Sequence, residues 1–442
     1  MKGLQLIQIE SAHIKKTSLD NSKKTKFALS IFGAQVSWMF DWSNSFAKGS
    51  ARWLGLLCAG RVATGLIAMT YAACLPELMV AWGMGAARAG SIQSAYNLGL
   101  GASLLVVSWL SDHVDPRRVL LVSSLVGSGL SLCFAFGARS FETALLLYGL
   151  VGVAQGGAYT PAIMVAAARV VPEKRGRAIG ELLASASLGY VGSLLFSGLG
   201  LALGGYRLAF LLCALGPLVG VVFFWAAVRG THAVPVKRTR PRPSAMGRRG
   251  RLLVFAYAGH CWELLGLWAW VPAFLAVAAL SDGYRDAAAF GAWITAVLHL
   301  TGVVAAVVAG RLSDRTGRRH AILVFAAAGT ALSFVVGWLI GAPIWLLVAI
   351  CALYGFAALG DSPVLSTALT EALPDGGLGR AFGLRSALGF LVGALAVVVF
   401  GGVIEATVHL GGAVSWGLGF SLLGLGGLAT TLLALGLERD RP

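Results

Sequence analysis

The chain has 442 residues, of which 57% are hydrophobic and 12% charged. A soluble domain carries about 25% charged residues, so half that share cannot cover a globular surface in water. These numbers exclude a cytosolic enzyme, a disulfide scaffold and a disordered chain, and they make a bilayer the solvent of much of the surface. The formal net charge is +16, and where the 35 basic residues sit decides whether it reports nucleic acid or membrane orientation.

Residues 1–51 differ in composition from the rest. Seven of the nine Lys fall in the first 50 residues, whereas all 26 Arg lie beyond them. This break suggests two sequence origins. The apolar run 27–40 has signal-peptide length, but a cleaved signal contradicts the charge distribution below. The segment reads as a cytoplasmic leader outside the fold.

From Trp53 onward, apolar stretches of about 20 residues alternate with short polar breaks, as membrane-spanning helices require. Twelve are counted. They start near Trp53, Gly90, Val119, Glu142, Ala178, Leu208, Leu252, Ala288, His320, Ile344, Ala381 and Ala413. The basic segment 229–251 holds three prolines and no acid, and reads as a cytoplasmic linker between an N-terminal half (52–228) and a C-terminal half (252–442). With the start inside, twenty-one basic residues fall on inside loops and four, Arg88, Arg139, Arg207 and Arg285, on outside loops. The asymmetry predicts a multi-pass cell-membrane protein with both termini cytoplasmic. The six Cys all lie within spans, and no metal or disulfide spacing appears.

The halves repeat. Ser111-Asp112 returns as Ser313-Asp314, Thr160-Pro161 as Ser362-Pro363 and Pro172 as Pro374, all 202 residues later. Gly176-Arg177-Ala178 returns as Gly379-Arg380-Ala381 at 203. The fold expected is an all-α membrane protein, twelve transmembrane helices in two six-helix halves related by a parallel repeat.

The loop 310–319 reads G-R-L-S-D-R-T-G-R-R. It resembles the signature G-x-x-x-D-R-x-G-R-R of the major facilitator superfamily at every defined position, between spans eight and nine. The first-half copy keeps Asp112, Arg117 and Arg118 but loses both Gly, and PEKRGRAIG over 172–180 is also similar to that family's loops. The resemblance covers 52–437 and implies alternating access, with Gly310, Asp314, Arg315, Gly317, Arg318 and Arg319 as a cytoplasmic gate. Glu181 and Arg385 are the expected locking partners of Asp112 and Asp314. The bland reading of these charges is a solvated turn that sets topology.

Ionisable residues at membrane depth cost roughly 2.5 to 3.5 kcal/mol on insertion scales, so each is a functional candidate. On span seven, His260, Glu263, Leu267 and Trp270 share one helical face. Glu263 beside His260, with Asp361 on span ten, are the proton-coupling candidates. Pro363 is expected to break span ten next to Asp361. Arg61, Gln93, Asn97, Gln155, Tyr159, Trp262, Trp270 and His299 are the substrate-binding candidates. Polar fastening between helices is the competing role for each.

No G-x-x-x-x-G-K-[ST] nucleotide-binding loop occurs, so the driving force is an ion or solute gradient. The function expected is secondary active transport of a small organic solute, proton-coupled, by a monomer in the lipid bilayer. No enzyme activity, cofactor, metal or nucleic acid is expected. A drug/proton antiporter is the nearest alternative. It is weakened by Gly152, where such proteins carry Arg, and by the absence of a Gly-Pro pair in span five. A non-transporting receptor or assembly protein is the alternative of another class, and the near-intact loop motif in both halves argues against it.

Overall fold

The structure, a computed structural model, describes residues 50–111, 113–170, 172–229, 246–373 and 378–438. The leader to residue 49, Asp112 and most of the linker lie outside the described residues. In chain order the helices are α1 (Ser50–Gly65), α2 (Thr70–Ala81), α3 (Ala86–Ser111), α4 (Pro116–Gly137), α5 (Phe141–Arg169), α6 (Pro172–Val228), α7 (Arg248–Ser281), α8 (Ala287–Thr316), α9 (Arg318–Val336), α10 (Ile344–Glu371), α11 (Leu378–Thr407) and α12 (Gly412–Leu435).

These make twelve crossings. α1 and α2 together form the first span, Arg52–Ala81, and α3 to α5 form spans two to four. α6 turns back at Gly204-Gly205, where the backbone leaves helical values, so its 57 residues hold spans five and six. α7 to α12 are spans seven to twelve. Ten of these stretches are apolar enough to cross a bilayer on composition alone, one of them being the doubled Arg177–Val228. α3 falls below that hydropathy because it carries Gln93, Asn97 and Ser residues toward the protein interior. Its 26 residues still reach about 39 Å, longer than the hydrocarbon core.

The repeat extends into the turns. α2 and α7 end alike: Met84 N–H bonds Met79 O at 2.9 Å, and Tyr284 N–H bonds Ala279 O at 3.0 Å. Between them stand Gly83 and Gly283 at φ +58° and +84°, the left-handed C′ position that favours glycine.

Two helical details depart from expectation. Pro363 does not interrupt span ten. α10 runs unbroken, and the Ser366 and Thr367 hydroxyls return to the Ser362 and Pro363 carbonyls at 2.8 and 3.0 Å. The break lies in span one instead, over residues 66–69. Its freed backbone is satisfied from neighbouring helices, as membrane interiors demand. Tyr148 Oη donates to Ala68 O at 2.8 Å, and Met69 N–H donates to Ser193 Oγ at 3.0 Å.

The core is distributed unevenly. At the end bearing the linker each half keeps its own apolar cluster. One joins Trp53, Leu57 and Val165 to Phe224; the other joins Leu253, Ile322 and Leu369 to Ala434. At the far end a single cluster runs through both halves, from Tyr71 and Phe134 to Phe274 and Phe420.

Candidate functional site

The far end is closed by direct contacts between halves. Ser94 Oγ donates to Ala394 O at 2.6 Å, and Trp293 Nε1 donates to Leu195 O at 3.3 Å. The Glu405 carboxylate on α11 accepts from Ala87 N–H at 3.0 Å, in the first turn of α3, where a negative group suits the helix dipole. α3 and α11 approach so closely that a methyl on Gly90 would meet the Val397 carbonyl, and one on Gly401 would meet Ala86.

Beneath this closure lies a small, partly open cavity of about 50 Å³ between the halves. Met69, Gln93, Tyr96, Asn97 and Tyr190 line it from the first half, and Leu265, Trp268 and Phe390 from the second. Gln93 Nε2 reaches Asn97 Oδ1 at 3.5 Å, while Gln93 Oε1 is buried with no partner. Trp268 is flanked by Tyr190, centroid to centroid 5.7 Å and edge-on, and by His299 at 5.2 Å.

Arg61 is 6% exposed. Its guanidinium carbon stands 5.4 Å from the Tyr159 ring centroid, and no carboxylate among the described residues pairs with it. In the second half, His260 Nδ1 on α7 lies 2.8 Å from Asp361 Oδ1 on α10, both side chains at most 4% exposed. The contact is not an aligned hydrogen bond, and it is a charge pair only with His260 protonated; neither Asp361 Oδ1 nor His260 Nε2 has a hydrogen-bond partner among the described residues. Glu263 projects elsewhere, into a slot between Gly329 on α9 and Gly427 on α12, beside the Tyr354 hydroxyl.

Of the residues picked from sequence, Gln93 and Asn97 line the cavity, and His299 stands behind its Trp268 wall. Others are engaged away from it. Gln155 Nε2 donates to Thr64 O at 2.7 Å, fastening α5 to α1. Trp262 donates to Leu422 O at 2.9 Å on α12, and Trp270 to Val397 O at 3.1 Å within the closed end. The aromatic that reaches the cavity is Trp268. Trp268 and Trp270 lie about 200° apart on the helix, and apolar periodicity alone cannot choose between them in a span that is apolar all round. Tyr190 and Phe390 were missed for the same reason.

At the linker end, Gly317 sits at φ +87° between α8 and α9, a conformation that L side chains avoid. Arg318 pairs with Asp314 at 2.7 Å and with Glu371 of α10 at 2.9 Å. Arg319 Nη2 donates to Leu435 O at 3.3 Å, at the C-terminus of α12. Arg315 and Arg118 are exposed, and nothing packs where a Gly310 methyl would project. Arg117 pairs with Asp115, which also caps α4. Glu181 pairs with Arg177 at 3.0 Å. Arg385 donates to Ser366 Oγ at 2.8 Å and covers the Tyr257 ring at 3.8 Å. In this conformation neither Glu181 nor Arg385 meets Asp314.

Residues 57–300 and 287–442 match the family model described as Major Facilitator Superfamily. The chain is 29% identical over 294 residues to a chloramphenicol resistance protein of Streptomyces lividans, covering 64% of this chain and 71% of that one. It is 25% identical over 330 residues to the enterobactin exporter EntS of Shigella dysenteriae serotype 1 (strain Sd197), covering 73% and 78%. Among solved structures, a D-xylose-proton symporter superposes with a TM-score of 0.70 at 15% identity, covering 86% of this chain and 95% of the other. A bacterial homolog to the human lysosomal transporter Spinster, in an inward-facing and occupied conformation, gives 0.69 at 16%, covering 88% and 96%. At these identities the structural likeness is one of fold.

Proposed function

This chain belongs to the major facilitator superfamily, and from that premise we propose that it is a proton-coupled secondary transporter of a small organic solute, working by alternating access. The observation that carries the coupling is the buried contact of His260 with Asp361 at 2.8 Å, with Glu263 one helical turn along α7. Charges in this setting are costly unless paired. Gain or loss of one proton changes the buried charge of the second half by one unit, which biases a two-state rearrangement of the halves. The cavity between the halves is the solute site.

The linker end faces the cytoplasm in this reading, since twenty-one basic residues flank it and four flank the far end. The shared core and the Glu405 contact at the far end then belong to a state closed to the outside. The Asp314, Arg318 and Arg319 contacts brace the second half at its cytoplasmic face, ready to exchange partners when the halves rock. Similarity to a resistance protein and an exporter favours efflux.

Flux of a solute panel, chloramphenicol included, into proteoliposomes under an imposed pH gradient tests the proposal. Wild-type flux follows the gradient. Asp361→Asn retains solute exchange at equal pH and loses the response to the gradient. A full response in Asp361→Asn and in His260→Gln overturns proton coupling through this pair.

A further inference from the structure

Resting on that transporter reading, we infer the chemical class of the solute: a planar aromatic compound bearing one negative charge, an aryl carboxylate or its equivalent. Three features, two of the cavity and one beside it, converge on it.

The first is charge. Arg61 is a guanidinium buried in the membrane interior, with no carboxylate partner and no hydrogen bond to its side chain among the described residues. It is not itself a wall of the cavity: it lies on span one, seven residues before Ala68, which lines the cavity, and stands against Tyr159. A buried cation without a counter-charge is unfavourable, whereas a guanidinium facing a carboxylate can form two parallel charge-assisted hydrogen bonds. The other arginine within a span, Arg385, is already occupied by Ser366, Tyr257 and Phe382. Among the described residues, an in-span guanidinium with neither a carboxylate nor a hydrogen-bond partner calls for an anionic group.

The second is shape. Tyr96 and Tyr190 from the first half and Trp268 and Phe390 from the second give the cavity aromatic walls. Trp268 makes a tilted contact with His299 and meets Tyr190 edge-on. A cavity of about 50 Å³ is smaller than an aromatic ring, so in this conformation Tyr190 fills the ring's place against Trp268. Solute entry separates that pair and hence the halves that carry it. The third is polarity. Gln93 Oε1 is a buried acceptor left without a donor, and a ring substituent carrying an O–H or N–H satisfies it. A neutral apolar drug meets the walls alone and leaves both polar groups unanswered.

Binding is measured on the full chain in lipid nanodiscs by calorimetry, with three probes at one pH and ionic strength. Benzoate has the ring and the charge, benzamide the ring alone, and cyclohexanecarboxylate the charge without the flat ring. Benzoate is expected to bind wild type roughly tenfold or more tightly than either analogue. Arg61→Gln should bring benzoate down to the benzamide value, and Trp268→Leu to the cyclohexanecarboxylate value. Equal binding of benzoate and benzamide to wild type overturns the inference without recourse to any variant, as does unchanged benzoate affinity in folded Arg61→Gln. Selective benzoate binding with no flux in proteoliposomes would sink the transporter reading and leave the site intact. Flux confined to neutral aromatics would do the reverse.

Discussion

The two halves place different chemistry at matching positions. In the first half Arg61 on α1 faces Tyr159 on α5. In the second, His260 on α7 faces Asp361 on α10. Asp361 follows Tyr159 by 202 residues and His260 follows Arg61 by 199, and Arg61 and His260 each come directly after a glycine, Gly60 or Gly259. Those glycines dock on the last span of their own half, against Phe224 and against Gly426 with Thr430. The repeated backbone therefore brings the same two helices together twice. Arginine keeps its charge at every physiological pH, whereas an imidazole with a carboxylate exchanges protons. In the proposed mechanism one half holds a fixed charge for a ligand, and the other holds a charge that can be switched.

The largest expected effect separates the two addresses by sign. Removing one member of a buried ion pair leaves its partner uncompensated and costs about 3–5 kcal/mol. His260→Leu should lower the thermal unfolding midpoint strongly, and His260→Leu with Asp361→Leu should recover most of the loss. Arg61→Leu, which strands no partner, should leave the ligand-free protein as stable as wild type or more so. If Arg61→Leu destabilises as much as His260→Leu, Arg61 is a structural group and the contrast between the halves fails.

A second prediction makes the first half resemble the second. Tyr159→Asp sets a carboxylate opposite Arg61 and gives it a permanent partner. Benzoate affinity should fall by about a hundredfold, because the ligand then competes with a resident anion. The unfolding midpoint of the ligand-free protein should hold or rise. Retained benzoate affinity in that variant would mean that the anion sits elsewhere in the cavity.

The turns at the linker end offer a third contrast. The second half turns through Gly317 at φ +87°. The first half turns through Asp115, whose carboxylate accepts from Arg117 N–H ahead of Pro116. Gly317→Ala forces a side chain into a sparsely populated conformation and should cost about 1–3 kcal/mol. Asp115→Ala loses a helix cap and should cost about 1 kcal/mol. Thermal unfolding of the pair ranks them, and equal losses would show that the two turns, though different in sequence, are equally strained or equally relaxed.

What could be read in advance divides along the same physical line. Apolar length and Arg placement announce every span but the fifth within four residues of its helix start, and the fifth within six, because a bilayer imposes one length and one polarity on all of them. That Arg61, His260, Glu263 and Asp361 lie buried within spans was legible, because charge is rare inside a membrane and stands out there. Their pairing was not. His260 was expected beside Glu263, one turn away on its own helix, and meets Asp361 from another helix. Side-chain partners across helices depend on rotation about each helix axis, which a span apolar on all sides does not encode. Trp268 stands at the cavity in place of Trp270 for that reason, and Pro363 lies within a continuous α10 where Gly360 packs on Phe325.

The smallest effect concerns the charged loop after α8. Arg318 bridges Asp314 on its own turn to Glu371 at the end of α10, with Glu371 about half exposed. Exposed pairs of this kind contribute about 0–1 kcal/mol, so Glu371→Gln should hardly move the unfolding midpoint. In the first half Arg117 pairs with Asp115 two residues away. If the loop of the second half is a brace that yields during transport, Glu371→Gln should alter solute exchange rate at unchanged stability. An unchanged rate in Glu371→Gln would reduce Arg318 to a solvated turn residue.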